Sequence, residues 1–164
     1  MKKLRFFAPV LLVASLVFIA CSDEGDDAPP SVADGVTEVA RQLLAEASPD
    51  TAQGQMLELT RVIVPAGESL APHTHPGPQL AVIVAGTLTY TVIDGEATVT
   101  RAAATDNEDV VMYASGDTFE LNAGDSISET ALMVHRAANE GDQPVIIYLS
   151  SLFPTGEPPA TTVQ

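Results

Sequence analysis

The chain has 164 residues, enough for one domain that buries a core without disulfides. Tryptophan is absent and aromatic residues make up only 5%, so Val, Ile, Leu and Ala must fill that core. Seven basic residues stand against 22 acidic ones, a formal charge of −15 that disfavours nucleic acid and anionic lipid headgroups as partners of the folded domain.

The first 20 residues have the pattern of an export signal. Lys2, Lys3 and Arg5 form a positive start, and an apolar run follows from residue 6 to residue 20. This run is shorter than the roughly 20 residues that a spanning helix needs, and Pro9 interrupts it. The pattern therefore predicts a signal peptide over residues 1–20.

Cys21, the only cysteine, follows this segment directly. The stretch "FIAC" resembles the bacterial lipobox, in which the cysteine is acylated and becomes the mature N-terminus, although Phe18 replaces the usual leucine. A lone cysteine cannot form an internal disulfide, and acylation would explain its presence. The resemblance implies an exported protein anchored to the bacterial cell membrane by acyl chains on Cys21, which makes the lipid bilayer a partner. An ordinary secretory signal is the alternative.

The two ends of the remaining chain have compositions that do not favour packing. Residues 21–33 are rich in Asp, Glu and Pro and predict a flexible acidic tether. Residues 154–164 predict a flexible C-terminal tail. Without the first 20 residues, four arginines stand against all 22 acidic residues, a formal charge of −18 that indicates high solubility. The folded domain is then expected over residues 34–153.

Short β-rich segments dominate this domain. Residues 36–46 fit either a helix capped by Asp34 or a strand, and both remain open. The later segments share β-branched residues and flanking turn residues, and they predict strands at 55–64, 79–86, 87–101, 117–121, 133–139 and 145–153. No helical runs separate them, which favours an antiparallel all-β sandwich or barrel.

Two connections can also be predicted from local composition. The Asp94-Gly95 pair is typical of a two-residue β-hairpin. Residues 101–116 predict a long polar excursion that joins two halves of the domain. Tyr90 lies in a segment that alternates apolar residues with threonine, and core packing is its expected role.

Two of the three histidines lie one residue apart, in "HTHPGPQL". Side chains at i and i+2 of a strand share a face, so His73 and His75 can converge on one ion if this stretch is extended. His135 lies sixty residues further along, and only a fold that brings distant strands together could add it. Neutral imidazole is a common ligand of transition metals.

The spacing of these histidines resembles the cupin family. Its first motif, G(X)5HXH(X)3-4E(X)6G, matches Gly67, His73, His75 and Gly86, with Gln79 at the glutamate position. Its second motif, G(X)5PXG(X)2H(X)3N, matches in spacing at Gly124, His135 and Asn139, whereas Thr130 and Leu132 replace its proline and glycine. The resemblance implies an all-β cupin fold, a double-stranded β-helix or jelly-roll barrel. The glycines and Asn139 are interpreted as turn residues.

The resemblance further implies a divalent transition metal, namely Mn, Fe, Zn, Ni or Cu, bound by His73, His75 and His135 with Gln79 as the fourth ligand. Glutamine brings no charge, so a divalent ion would leave the site at +2 rather than +1, which favours a Lewis acid over a redox centre. Alternatively, Gln79 orients a histidine without touching the metal. A site of three histidines and a glutamine is similar to that of manganese-dependent cupin hydroxynitrile lyases, whereas thiol dioxygenases use three histidines.

Three functions are consistent with this interpretation of the sequence. The first is a metal-dependent enzyme that acts on a small molecule, with oxygenase, lyase and isomerase chemistry all open. The second is a lipoprotein that binds a small solute or the metal without catalysis. The third is a metal-free barrel with a structural or interaction role, supported by Thr130 and Leu132. A homodimer is a possible assembly.

Overall fold

The computed structural model describes residue 33 and residues 35–164. The predicted signal peptide, Cys21 and the tether up to residue 32 lie outside these residues. No helix long and apolar enough to cross a membrane occurs in the part of the chain that is described. The strands in chain order are β1 (Ala40–Ala47), β2 (Gln55–Val64), β3 (Ser69–Thr74), β4 (Gln79–Ala85), β5 (Thr87–Asp94), β6 (Glu96–Arg101), β7 (Asp109–Ala114), β8 (Thr118–Asn122), β9 (Ser126–Glu129), β10 (Val134–Ala138), β11 (Val145–Pro154) and β12 (Thr161–Thr162).

These strands form two antiparallel sheets. The larger sheet has the order β1-β2-β11-β4-β9-β6-β7, and the smaller has the order β12-β3-β10-β5-β8. Sequence neighbours are mostly separated in space, so residues far apart in the chain meet between the sheets. The all-β prediction is confirmed, and of the two alternatives for residues 36–46 the structure contains the strand, β1.

The hydrophobic core lies between the two sheets because the strands alternate in burial. Buried and partly exposed side chains alternate along β11, and buried and exposed ones alternate along most of β4. The largest fully buried apolar side chains come from both sheets and are Ile83, Leu121, Val64, Val92, Val99 and Val145. Burying an aliphatic side chain of this size contributes about 1.5 to 3 kcal/mol each, which makes this layer the main source of stability.

The predicted hairpin at Asp94-Gly95 is wrong. Strand β5 pairs with β8 and β10 in the smaller sheet, whereas β6 pairs with β7 and β9 in the larger one. Gly95, with a φ of 102°, therefore turns the chain from one sheet to the other instead of reversing it within one. Part of the predicted excursion also differs, because residues 109–114 form strand β7 beside β6.

The C-terminal segment, for which the sequence predicts a flexible tail, contains a short strand. Strand β12 pairs with β3, where Thr162 lies opposite His73. Backbone hydrogen bonds from Thr155 to Gly54 and from Val163 to Pro72 hold it on either side of this pair. The polar composition of this segment does not indicate these contacts, because main-chain hydrogen bonds to a sheet edge require no apolar side chains.

Turn residues behave as the sequence indicates. Gly67, Gly86 and Gly124 have φ values of 78°, 78° and 93°, in the left-handed region. Asn139 is buried, and its Nδ2 donates to the carbonyls of Val64 and Gln143 at 2.8 Å each. It thereby ties the connection between β10 and β11 to the end of β2.

Candidate metal centre

The three histidines converge between the sheets. His73 in β3 and His135 in β10 are direct partners in the antiparallel register, and His75 lies just beyond the end of β3. Their ring centroids are 4.3 to 5.1 Å apart. One ligand atom from each lies within 4.8 Å of those of the other two, so these residues could hold one metal ion.

Hydrogen bonds fix the tautomers of two of these rings. Nδ1 of His73 donates to the carbonyl of Ala71 at 2.7 Å, and Nδ1 of His75 donates to the carbonyl of Pro159 at 2.6 Å. A carbonyl only accepts, so each neutral ring carries its proton on Nδ1 and keeps a lone pair on Nε2. Such outer contacts orient metal-binding histidines in known sites. The tail residue Pro159 thus takes part in building the site.

Burial keeps two of the imidazoles neutral. It lowers the pKa of His135 to about 3, with the neighbouring His73 adding to the effect. Burial also lowers the pKa of His75, although the nearby Glu129 and the carbonyl of Pro159 oppose it. Both rings are then unprotonated at neutral pH, which is the form that binds a metal.

Aromatic rings stack on two of the histidines. Tyr90 stacks on His135 with ring centroids 5.0 Å apart, and Phe153 stacks on His75 at 5.9 Å. The interplanar angles are 12° and 13°. These contacts restrict the rotation of both imidazoles, so less conformational freedom is lost when a ligand binds.

Gln79, at the start of β4, faces the histidines and is 3% exposed. Its Nε2 donates to the unprotonated Nε2 of His75 at 3.2 Å and to Oε2 of Glu129 at 3.1 Å. Its Oε1 is buried and accepts no hydrogen bond from any residue that the structure describes. A buried oxygen without a donor is uncommon. A cation held by the three imidazoles would satisfy it, so the donor set fits a divalent metal.

Glu129, the last residue of β9, lies beside these side chains, and no spaced motif in the sequence indicates it. Its carboxylate accepts a hydrogen bond from the Tyr90 hydroxyl at 2.8 Å and lies 3.5 Å from Nε2 of His75. Burial raises the pKa of Glu129, against the opposing effect of His75 and the Tyr90 hydrogen bond. Burial, followed by the charge of Glu129, raises the pKa of Tyr90 well above its usual value. Tyr90 therefore remains a hydroxyl donor to this carboxylate.

A signal for Glu129 exists in the segment "SISE". Ser126 and Ser128 alternate with Ile127 and Glu129, so burial of Ile127 on one face of a strand predicts that Glu129 shares that face. Tyr90, for which core packing was expected, both packs in the core and contacts this carboxylate.

The histidines, Gln79 and Glu129 lie at one side of a cavity of about 140 Å³ between the sheets. The rest of its wall is mostly apolar and includes Leu70, Ile83, Leu88, Leu121, Ile147 and Leu149. Arg41 also lines the cavity, and its guanidinium contacts Glu58 and Thr60 at 3.3 Å. The arrangement joins a few polar donors to an apolar chamber, as is common in small-molecule sites.

Leu132 stands where the second motif has glycine, and its backbone explains why glycine suits the position. Its φ is 65°, in the left-handed region, and its N–H donates to the carbonyl of His75 at 2.9 Å. A side chain in this conformation costs about 1 to 2 kcal/mol. A residue with left-handed backbone thus occupies the position at which the motif has glycine.

No protein-family model matches the sequence, and no curated protein matches it. Solved structures are similar in fold. A cupin 2 domain-containing protein from Halorhodospira halophila is 12% identical with a TM-score of 0.51, over 80% of this chain and 76% of that one. Oxalate decarboxylase from Bacillus subtilis is 20% identical with a TM-score of 0.50, over 77% of this chain. The match spans only 28% of the oxalate decarboxylase chain. These likenesses confirm the predicted fold, a cupin jelly roll.

Proposed function

We propose that this protein is a metal-dependent enzyme that acts on a small molecule. One observation carries the proposal: three imidazoles, with ligand atoms within 4.8 Å of one another, line the same cavity as a set of apolar side chains. When bound there, a divalent ion would act as a Lewis acid on an oxygen or nitrogen of the ligand. Oxalate decarboxylase, one of the similar structures, shows that this fold also occurs in an enzyme.

The chain's own residues determine what the cavity can accept. Its volume of about 140 Å³ is close to the roughly 150 Å³ of an engineered cavity that binds benzene. Leu70, Leu88 and Leu121 would exclude water around an apolar body, and Gln79 and Tyr90 would orient a polar end near the histidines. The proposed substrates are therefore mainly apolar molecules of about benzene size with one coordinating group. Oxygenase, lyase and isomerase reactions all fit this description.

Turnover tests this proposal against a binding role. Protein prepared without a histidine tag, loaded with Mn²⁺, Fe²⁺ or Zn²⁺, is incubated with panels of thiols, diketones, phenols and cyanohydrins. We expect oxygen uptake or product formation with at least one class, and its loss in the His73→Ala variant. Metal binding without turnover in any panel would favour the non-catalytic binder instead. A folded protein that takes up no metal would favour the metal-free barrel.

We also propose that the chain is exported and anchored to the cell membrane through Cys21. The positive start, the apolar run and "FIAC" support this location. The acidic segment after Cys21 would keep the domain away from anionic headgroups. We expect the Cys21→Ser variant, expressed in a bacterium, to lose both labelled palmitate and membrane partitioning. A variant that still partitions with the membrane would contradict the anchor, and an exported wild type without label would favour a plain secretory signal.

A further inference from the structure

Glu129 lies directly beside Gln79 in the larger sheet. Strands β4 and β9 are antiparallel neighbours, and Gln79 and Glu129 are partners in their register. Side chains at such paired positions project from the same face with Cβ atoms about 5 Å apart. The carboxylate that the cupin motif has at position 79 is thus absent there and present on the adjacent strand.

The carboxylate of Glu129 is surrounded by potential ligands. Its Oε2 lies 3.5 Å from Nε2 of His75, and its Oε1 lies 3.8 Å from Nε2 of His135. Two ligands at about 2.1 Å from one ion are separated by about 3.0 Å in octahedral and about 3.4 Å in tetrahedral sites. The observed separations of 3.5 and 3.8 Å are longer than these and involve different oxygens of Glu129, so the carboxylate would have to move toward the histidines to share one ion with them.

The surroundings of the Glu129 carboxylate also favour a nearby cation. Glu129 is 5% exposed, and the described residues give it no arginine or lysine partner. Its contacts are the Tyr90 hydroxyl, the Gln79 amide and two histidines. A buried carboxylate is costly unless a positive charge compensates it. With an ionised Glu129, three neutral imidazoles and a divalent ion, the net charge of the site would be +1. With Gln79 and without Glu129, that net charge would be +2.

We propose that Glu129 is the anionic ligand of this metal centre and replaces, from the neighbouring strand, the carboxylate missing at Gln79. The Tyr90 hydroxyl and the Gln79 amide hold its two oxygens toward His135 and His75. This inference rests on the proposed metal binding. It assigns the charge of the site to a residue that lies outside the HXH motif.

The test compares four proteins by calorimetric titration with Zn²⁺ after chelator treatment. E129Q keeps the side-chain shape but removes the charge, and we expect its Kd to rise at least about 10-fold. The double variant Q79E/E129Q returns the carboxylate to position 79 and should recover most of the affinity. E96Q removes an exposed glutamate from the adjacent strand β6 and should bind as the wild type does.

Each outcome distinguishes this inference from the proposed function. If the wild type binds Zn²⁺ and E129Q binds it equally well, Glu129 is no ligand although the metal centre stands. If the folded wild type binds no Zn²⁺, the proposed function fails as well. Thermal unfolding without metal provides the second measurement: E129Q should unfold at the same or a higher temperature, because an uncompensated buried acid is removed. A marked loss of metal-free stability would indicate a structural role and overturn the assignment.

Discussion

Replacing His135 with alanine is expected to weaken Zn²⁺ binding by at least about 100-fold. His135 supplies one of three imidazoles, and it is the only one from β10. Loss of residues that merely support a metal ligand costs about 10- to 100-fold in affinity, so loss of a ligand should cost more. Competition with a chromogenic chelator measures the affinity, and elemental analysis measures the metal content of the purified variant.

A matched variant separates this effect from general damage to the core. Ile83 lines the same cavity and is 1% exposed, but it offers no metal ligand. The Ile83→Val change should cost about 1 kcal/mol of stability and leave the affinity for Zn²⁺ unchanged. Wild-type metal content in His135→Ala would mean that the ion binds elsewhere.

Replacing Gly77 with alanine is expected to lower the free energy of unfolding by about 3 kcal/mol. Gly77 is buried in the corner between β3 and β4, and a Cβ there would collide with the backbone carbonyl of Leu152 in β11. Backbone on both sides cannot rotate away as a side chain could. The N–H of Leu152, which bonds to Pro78 at 3.1 Å, would be displaced with it. Denaturant titration followed by circular dichroism measures this change, and the melting temperature should fall by about 10 °C.

The control for Gly77→Ala is Gly54→Ala. Gly54 has a φ of 77°, but no atom lies within 4 Å of the position of an added Cβ. This variant should lose only the cost of a side chain in a left-handed turn, about 1 kcal/mol. Equal losses at both positions would show that the contact with Leu152 does not determine the stability of the corner.

Strand positions were predictable from sequence where one face is buried. Residues 55–64 form β2 with the predicted bounds, and the alternation around Tyr90 matches the burial of β5. Strand partners were not predictable in the same way. Asp94-Gly95 has the composition of a hairpin turn. Turn residues indicate the local backbone conformation, but they do not indicate which sheet the next strand joins. The short strand in the C-terminal segment could not be predicted from composition, because its pairing with β3 uses main-chain groups.

The site was predictable only where residue spacing indicates it. His73, His75 and His135 follow a spaced motif, and the structure brings all three together. Glu129 belongs to no such motif, and its role depends on the register between β9 and β4, which places it opposite Gln79. Register is set by the packing of the whole sheet, so the amino-acid sequence alone does not reveal it. Pro159 lies outside the strands and 84 residues from His75, and no spacing in the sequence indicates its contact with that ring.

Anomalous diffraction from a crystal loaded with Co²⁺ would locate the ion relative to the three histidines. We expect one strong peak between the two sheets, about 2.1 Å from a ring nitrogen of each of His73, His75 and His135. A peak that lies away from the three histidines, or a loaded crystal in which any of the three rings points away from the ion, would contradict this placement.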